Sequence, residues 1–228
     1  MQYIIGIDDT DNLESRGTGH LARDMAAALA KDFTIHGIVR HQLLEDPRVP
    51  KTSHNSSASI LFEGNPYPLE ELATFSKKLM FDDYQQGSDP GLCIATNVPA
   101  EVVEYGQRAR REFVYQDEPR KLAAAHGIYL EGLGGTQDGV IGALAAVGLA
   151  QSGNDGRYVL LGSIRDLKGL QPVSAVLTTG ITAVQTLDGQ PVTEGLVLAD
   201  KLRPARRNSQ PILFVEKQED HWLPLKLN

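Results

Sequence analysis

The first twenty residues, MQYIIGIDDTDNLESRGTGH, constrain this chain more than any other stretch. A short apolar run, Tyr3-Ile4-Ile5, leads through Gly6 and Ile7 to three carboxylates, Asp8, Asp9 and Asp11. β-branched residues bounded by glycine and turn formers predict a buried strand that ends at the carboxylates. Asn12 to Arg16 reads as a turn, and His20 opens a predicted helix with Leu21, Met25, Ala28 and Leu29 on one stripe. The order is strand, acidic loop, a hydroxyl flanked by glycines (Gly17-Thr18-Gly19), helix N-terminus.

That order suits a metal–phosphate site. Carboxylates crowded at a strand end repel one another unless a cation neutralises them, and Mg²⁺ takes carboxylate oxygens while keeping water and phosphate ligands. The free N–H groups of the following helix favour an anion, and glycines on both sides of Thr18 let backbone approach a phosphate closely. The plainer alternative is a β–α turn whose Asp residues only cap the helix, but one cap does not require three acids.

Length and composition set the outer limits. With 228 residues the chain has room for one large domain or two modest ones, and two is the expectation. No apolar run is long enough to span a bilayer, and the start lacks the basic flank and cleavage site of a secretory signal, so no membrane role is expected. The single cysteine, Cys93, excludes an internal disulfide framework and a cysteine-based zinc site, and a reducing cytoplasm is the expected location. A net charge of −7 argues against a generally basic nucleic-acid surface while leaving room for a local patch.

Further along, Phe33–His41 and ASILFEG (58–64) predict strands on either side of a fourteen-residue loop, 44–57, that contains two prolines. Loops of that length in compact domains are often functional. This one offers Lys51 to meet phosphate charge, and Thr52, Ser53, His54 and Asn55 as hydrogen-bonding groups. Helices are predicted over Pro68–Lys78, Ala100–Phe113, Pro119–Ala125 and Asp138–Leu149, with a strand carrying Cys93. The last of these helices, small and apolar almost all round, must be buried. Glycines ahead of it, among them Gly134 and Gly135, could cradle a phosphate, although the segment is neither a P-loop nor a dinucleotide fingerprint. Beyond Asn154 the chain reads as short strands, including RYVLLGSIRDL, VSAVLTT, VTEGLVLADKL and QPILFVEKQED. His36 and His41 fall on a strand and read as structural, and buried Cys93 reads as a core residue. A haloacid-dehalogenase reading of Asp9-Thr10-Asp11 fails at Leu13, where that motif needs a hydroxyl.

GIDDTD, the glycine-flanked Thr18, DPRVPKTSHNSSA, DPGLCI, GGTQDGVIGALAAVG, YVLLGSIR and RPARRNSQPILFV occur in an order that resembles archaeal agmatidine synthase. Members of that family modify a cytidine in the anticodon of an isoleucine tRNA, using ATP and agmatine. The resemblance implies an α/β (α+β) fold: a kinase-like mixed-sheet domain at 1–118 followed by a ferredoxin-like domain at 119–228. The family's OB-fold and zinc ribbon fall outside the resemblance. It implies that Asp8, Asp9 and Asp11 bind Mg²⁺-ATP and that Thr18 is a phosphoacceptor. Gly17, Gly19, His20, Lys51, Thr52 and Asn55 would then lie around the nucleotide, with Gly134 and Gly135 as further phosphate contacts.

The chain departs from the family at the Gly17–His20 stretch and at Lys51–Asn55, where an arginine is missing. The expected activity is therefore Mg²⁺- and ATP-dependent phosphotransfer or condensation on a small-molecule or nucleoside-like acceptor, with tRNA a weaker candidate. Two other readings stand beside it: a nucleotide-binding module without turnover, and a tRNA-modification subunit working with a separate tRNA-binding partner. A homodimer is compatible with all three.

Overall fold

A computed structural model describes residues 1–12, 16–49, 54–83 and 85–227. The chain divides into two compact units, Met1–Ser152 and Gly153–Asn228. The sequence pattern suggests a boundary at 118/119; residues 119–152 instead belong to the first unit. The physical reason is the buried helix at 139–152, which has no polar face to turn to water and packs on the first unit's sheet.

The first unit opens with β1 (Gln2–Asp8), α1 (Thr18–Leu29), β2 (Thr34–Gln42), β3 (Ser56–Glu63), α2 (Leu69–Asp82) and β4 (Gly91–Ala95). These strands lie in the order β4-β1-β3-β2 with every neighbouring pair antiparallel. A β-α-β-β-α-β chain with that order is the split-βαβ, ferredoxin-like arrangement. In this chain it occupies residues 2–95. It is followed by α3 (Ala100–Ala109), α4 (Asp117–Ala125), β5 (Tyr129–Gly132) and α5 (Gly139–Ser152), with β5 adding to the β4 edge. The fold is mixed α/β, as expected. β5 lies in HGIYLEGLGGTQ, which reads from sequence as a separator between helices; its partner β4 is far away in the chain and supplies the pairing.

Strand alternation assigns the two faces. Ile5 and Ile7 of β1 are fully buried on one face, served by α1 and α2. Gly6 and Asp8 point to the other, against α5. The approach of α5 is close because the facing residues lack side chains: a Cβ on Gly6 would lie 2.1 Å from the Ala143 carbonyl oxygen. On the helix's far side a Cβ on Gly148 would lie 2.1 Å from the Val102 carbonyl oxygen of α3. The small-residue pattern is thus what lets α5 sit between sheet and α3. His41 is buried and pairs with Ser59 at 2.9 Å, and Cys93 is fully buried, so both are core residues.

The second unit contains β6 (Arg157–Leu160), β7 (Leu170–Pro172), α6 (Val173–Leu177), β8 (Ala183–Gln185), β9 (Leu196–Leu198), β10 (Ala205–Arg207), β11 (Gln210–Lys217) and β12 (Trp222–Pro224). β11 is its centre, pairing with β10, β12 and β8. VSAVLTT, read from sequence as a strand, forms the helix α6. Pro172 at its N-cap, with φ −62°, presets that start. Among the described residues no helix is long and apolar enough to cross a membrane.

Candidate functional site

β1 delivers Asp8 and the residues after it to the end of the sheet. Asp9 takes a left-handed conformation, φ 49°, which Asp tolerates better than most residues and which turns the chain sharply after the strand. A cavity of about 240 Å³ lies there, within the first unit. Asp8, Asp9, Asp11 and Asn55 line it, together with Arg48, His54, Asp89, Glu112, Phe113, Thr136 and Asp138. Its floor is apolar, with Leu43, Leu44 and Ile141.

Crowding shows in the acid–base balance. Burial, and then the charges of Asp9 and Asp11, push the Asp8 carboxyl up to about 8. Burial, followed by the charges of Asp89, Asp11 and Asp138, pushes Asp9 up to about 6. Asp8 is wedged under α5 at Gly142, where a Cβ would lie 1.9 Å from its Oδ2. Any other residue at 142 would displace the carboxylate.

Thr18 is the first residue of α1, with Gly17 at its N-cap in a left-handed conformation, φ 88°. The Thr18 hydroxyl donates to Asp11 Oδ1 at 3.1 Å, tying the helix start to the acidic loop. Gly19 has only ordinary clearance, with a Cβ there 3.7 Å from Arg23. The His20 side chain is exposed, and its backbone N–H donates to the Gly17 carbonyl at 2.8 Å. Asn55 is held by its own amide, which donates to the Leu44 carbonyl at 2.8 Å. Lys51 and Thr52 lie outside the described residues. Gly134 and Gly135 do not line the cavity, whereas Thr136 and Asp138 beside them do.

Several lining residues escape a reading of the sequence. Asp89 arrives because β4 runs antiparallel to β1 with Asp8 opposite Gly91, a pairing across some eighty residues. The only local signal is an acid before Pro90-Gly91 at a strand start. Arg48 is fixed by Asp46, donating Nε to Oδ1 and Nη2 to Oδ2, both at 2.8 Å. Its guanidinium lies 4.6 Å over the Phe113 ring, and Phe113 meets Tyr115 edge-on at 5.1 Å. Tyr115 is 74% exposed. Phe113, Val114, Asp138 and Ile141 are shared with a wider groove of about 1130 Å³ that continues past Tyr115, Gln116 and Lys121. Among the described residues no three His, Cys, Asp or Glu side chains form a preassembled metal-binding group.

No family model matches the chain. Over 156 residues it is 29% identical to an uncharacterized protein of Methanocaldococcus jannaschii, an alignment covering 66% of this chain and 50% of that protein. Over 149 residues it is 27% identical to TiaS of Cenarchaeum symbiosum, a 2-agmatinylcytidine synthetase for an isoleucine tRNA, covering 63% of this chain and 32% of that one. The chain thus spans half the length of one curated relative and about a third of the other. Among solved structures, a tRNA fluorescent labeling enzyme superposes with a TM-score of 0.57 at 25% identity, over 65% of this chain and 36% of that one. The complex of TiaS with an isoleucine tRNA and ATP gives 0.57 at 24%, over 65% and 36%, and shows the fold alone. Over roughly two thirds of its length, the chain is similar in sequence and fold to the 2-agmatinylcytidine synthetase that its motifs resemble.

Proposed function

We propose that the first unit is the nucleotide-using part of an ATP- and Mg²⁺-dependent phosphotransfer or condensing enzyme acting on a nucleoside-like group. The observation that carries this reading is the Thr18 hydroxyl bonded to Asp11 at the edge of a cavity walled by Asp8, Asp9, Asp89 and Asp138. Similarity to a synthetase that acts on an isoleucine tRNA supports it, and a cytoplasmic location goes with it.

The residues present fit a magnesium ion. The donor set is all oxygen, the choice of a hard cation, and burial, followed by the charge of neighbouring carboxylates, makes Asp8 and Asp9 resist ionising. Mg²⁺ needs only one or two carboxylates when substrate phosphates supply the rest, so no preassembled trio is required. Asp9 and Asp11 would hold it, and it would neutralise phosphate charge. Asp11 orients the Thr18 hydroxyl and accepts its proton as Thr18 Oγ1 bonds to the γ-phosphorus; the bond to the β–γ bridging oxygen breaks and ADP leaves. The phosphoryl group then passes to the acceptor. The exposed Tyr115 ring, edge-on to Phe113 and near the Arg48 guanidinium, offers an aromatic and cationic corner beside the cavity for a planar base.

The test is incubation with Mg²⁺ and ATP labelled separately on the α- and γ-phosphates. Label from the γ-phosphate is expected on the protein and lost in Thr18→Ala. Binding of ATP with no label on protein or acceptor would point to a module without turnover, and absence of binding would end the ATP assignment.

A further inference from the structure

We infer that Asp89 belongs to the nucleotide site and that Thr136 is the residue that positions it. This rests on reading the acidic cavity as the Mg²⁺–nucleotide site.

Asp89 stands two residues before the start of β4, beside the end of β1, and lines the same cavity as Asp9. Two like charges side by side are unfavourable, so a freely rotating Asp89 would turn away into water. It is held instead. The Thr136 backbone N–H donates to Asp89 Oδ1 at 2.6 Å, and the Thr136 hydroxyl donates to Oδ2. Both carboxylate oxygens are thus gripped by one residue, which fixes the rotamer as a single contact could not.

The loop before α5 is shaped around this grip. Gly135 is left-handed, φ 52°, and a Cβ there would lie 1.4 Å from Asp89 Oδ1. The space beside Gly135 is filled by the protein's own carboxylate. The Leu133 N–H donates to the Pro90 carbonyl at 2.7 Å, tying the loop to the Asp89 segment, and the Gln137 N–H closes the turn on the Gly134 carbonyl at 3.0 Å. The sequence therefore uses Gly134-Gly135-Thr136 to lock an acid against Asp9, an arrangement that a cation between them would relieve.

Titration of the parent, Thr136→Val, Thr136→Ser and Asp89→Asn with a fluorescent non-hydrolysable ATP analogue, with and without Mg²⁺, tests the assignment. With Mg²⁺, Thr136→Val and Asp89→Asn should bind about tenfold more weakly, as expected for losing charge-assisted contacts. Thr136→Ser, which keeps the hydroxyl, should stay within about twofold of the parent. Without Mg²⁺ the parent, Thr136→Val and Thr136→Ser should bind alike, and Asp89→Asn at least as tightly as the parent, because it removes a like charge from beside the phosphates. If Thr136→Val fails to fold, Asp89→Asn carries the test. Equal binding by parent and both weakened variants in Mg²⁺ would overturn the inference and leave the nucleotide site standing. The same would follow from losses that do not depend on Mg²⁺, or from Thr136→Ser failing like Thr136→Val. A parent that binds no nucleotide overturns both.

Discussion

Replacing Asp8 by Asn tests whether the acidic cavity stores unfavourable charge when no cation is bound. The folded chain pushes the Asp8 carboxyl up from 3.8 to about 8, chiefly by burial and then through Asp9 and Asp11. Below about pH 4 both folded and unfolded forms keep the proton and no cost arises. Between about 4 and 8 the unfolded chain releases a proton that the folded one retains, so stability falls as pH rises, with the full cost present above about 8. At about 1.4 kcal/mol per tenfold in the proton equilibrium, the cost at pH 7 comes to about 4 kcal/mol. The Asp8 side chain keeps some contact with solvent, whose screening brings the figure down to about 2 kcal/mol. For a unit of this size that corresponds to roughly 4–8 °C in the unfolding midpoint.

The assay is thermal unfolding of parent and Asp8→Asn from pH 5 to pH 9 in chelator. Asp8→Asn should unfold higher at pH 8, with the gap closing towards pH 5, and millimolar Mg²⁺ with nucleotide should narrow the gap by stabilising the parent. A gap that stays the same at every pH would refute the reasoning, because burial of a titrating carboxyl predicts a slope.

Two other outcomes follow from the packing. Gly6→Ala should cost about 3 kcal/mol or more in urea unfolding, because its Cβ would lie 2.1 Å from the Ala143 carbonyl oxygen and backbone cannot step aside as a side chain can. Arg48→Lys should let the Asp46 carboxyl, held down at about 2 by the Arg48 side chain, rise towards its ordinary value in an NMR titration. An unchanged Asp46 would mean that its backbone contact with the Arg48 N–H is sufficient.

Local pattern is enough to read β1, α1, β2, β3, α2 and α3 from their apolar spacing and glycine or proline stops, and α5 from a run that is small and apolar all round. It fails at β5, whose residues are all half-buried and show no alternation, and at α6, where β-branched residues follow a proline that starts a helix. The expected boundary at 118/119 falls inside α4, and the docking of α5 between the sheet and α3 keeps residues 119–152 with the first unit.

The site divides along the same line. Asp8, Asp9, Asp11, Gly17 and Thr18 are neighbours in the chain, so their grouping needs no tertiary information: residue order alone specifies an acidic strand end facing a hydroxyl at a helix start. Asp89, Thr136, Asp138, Arg48 and Phe113 come from four distant segments. The pairing of β4 and β3 with β1 and the packing of α5 against the sheet and α3 bring them to that strand end. That docking also sets Asp89 beside the Gly134-Gly135 turn. A glycine pair before a helix suits a phosphate or a close protein neighbour equally well, and the space beside Gly135 is taken by Asp89.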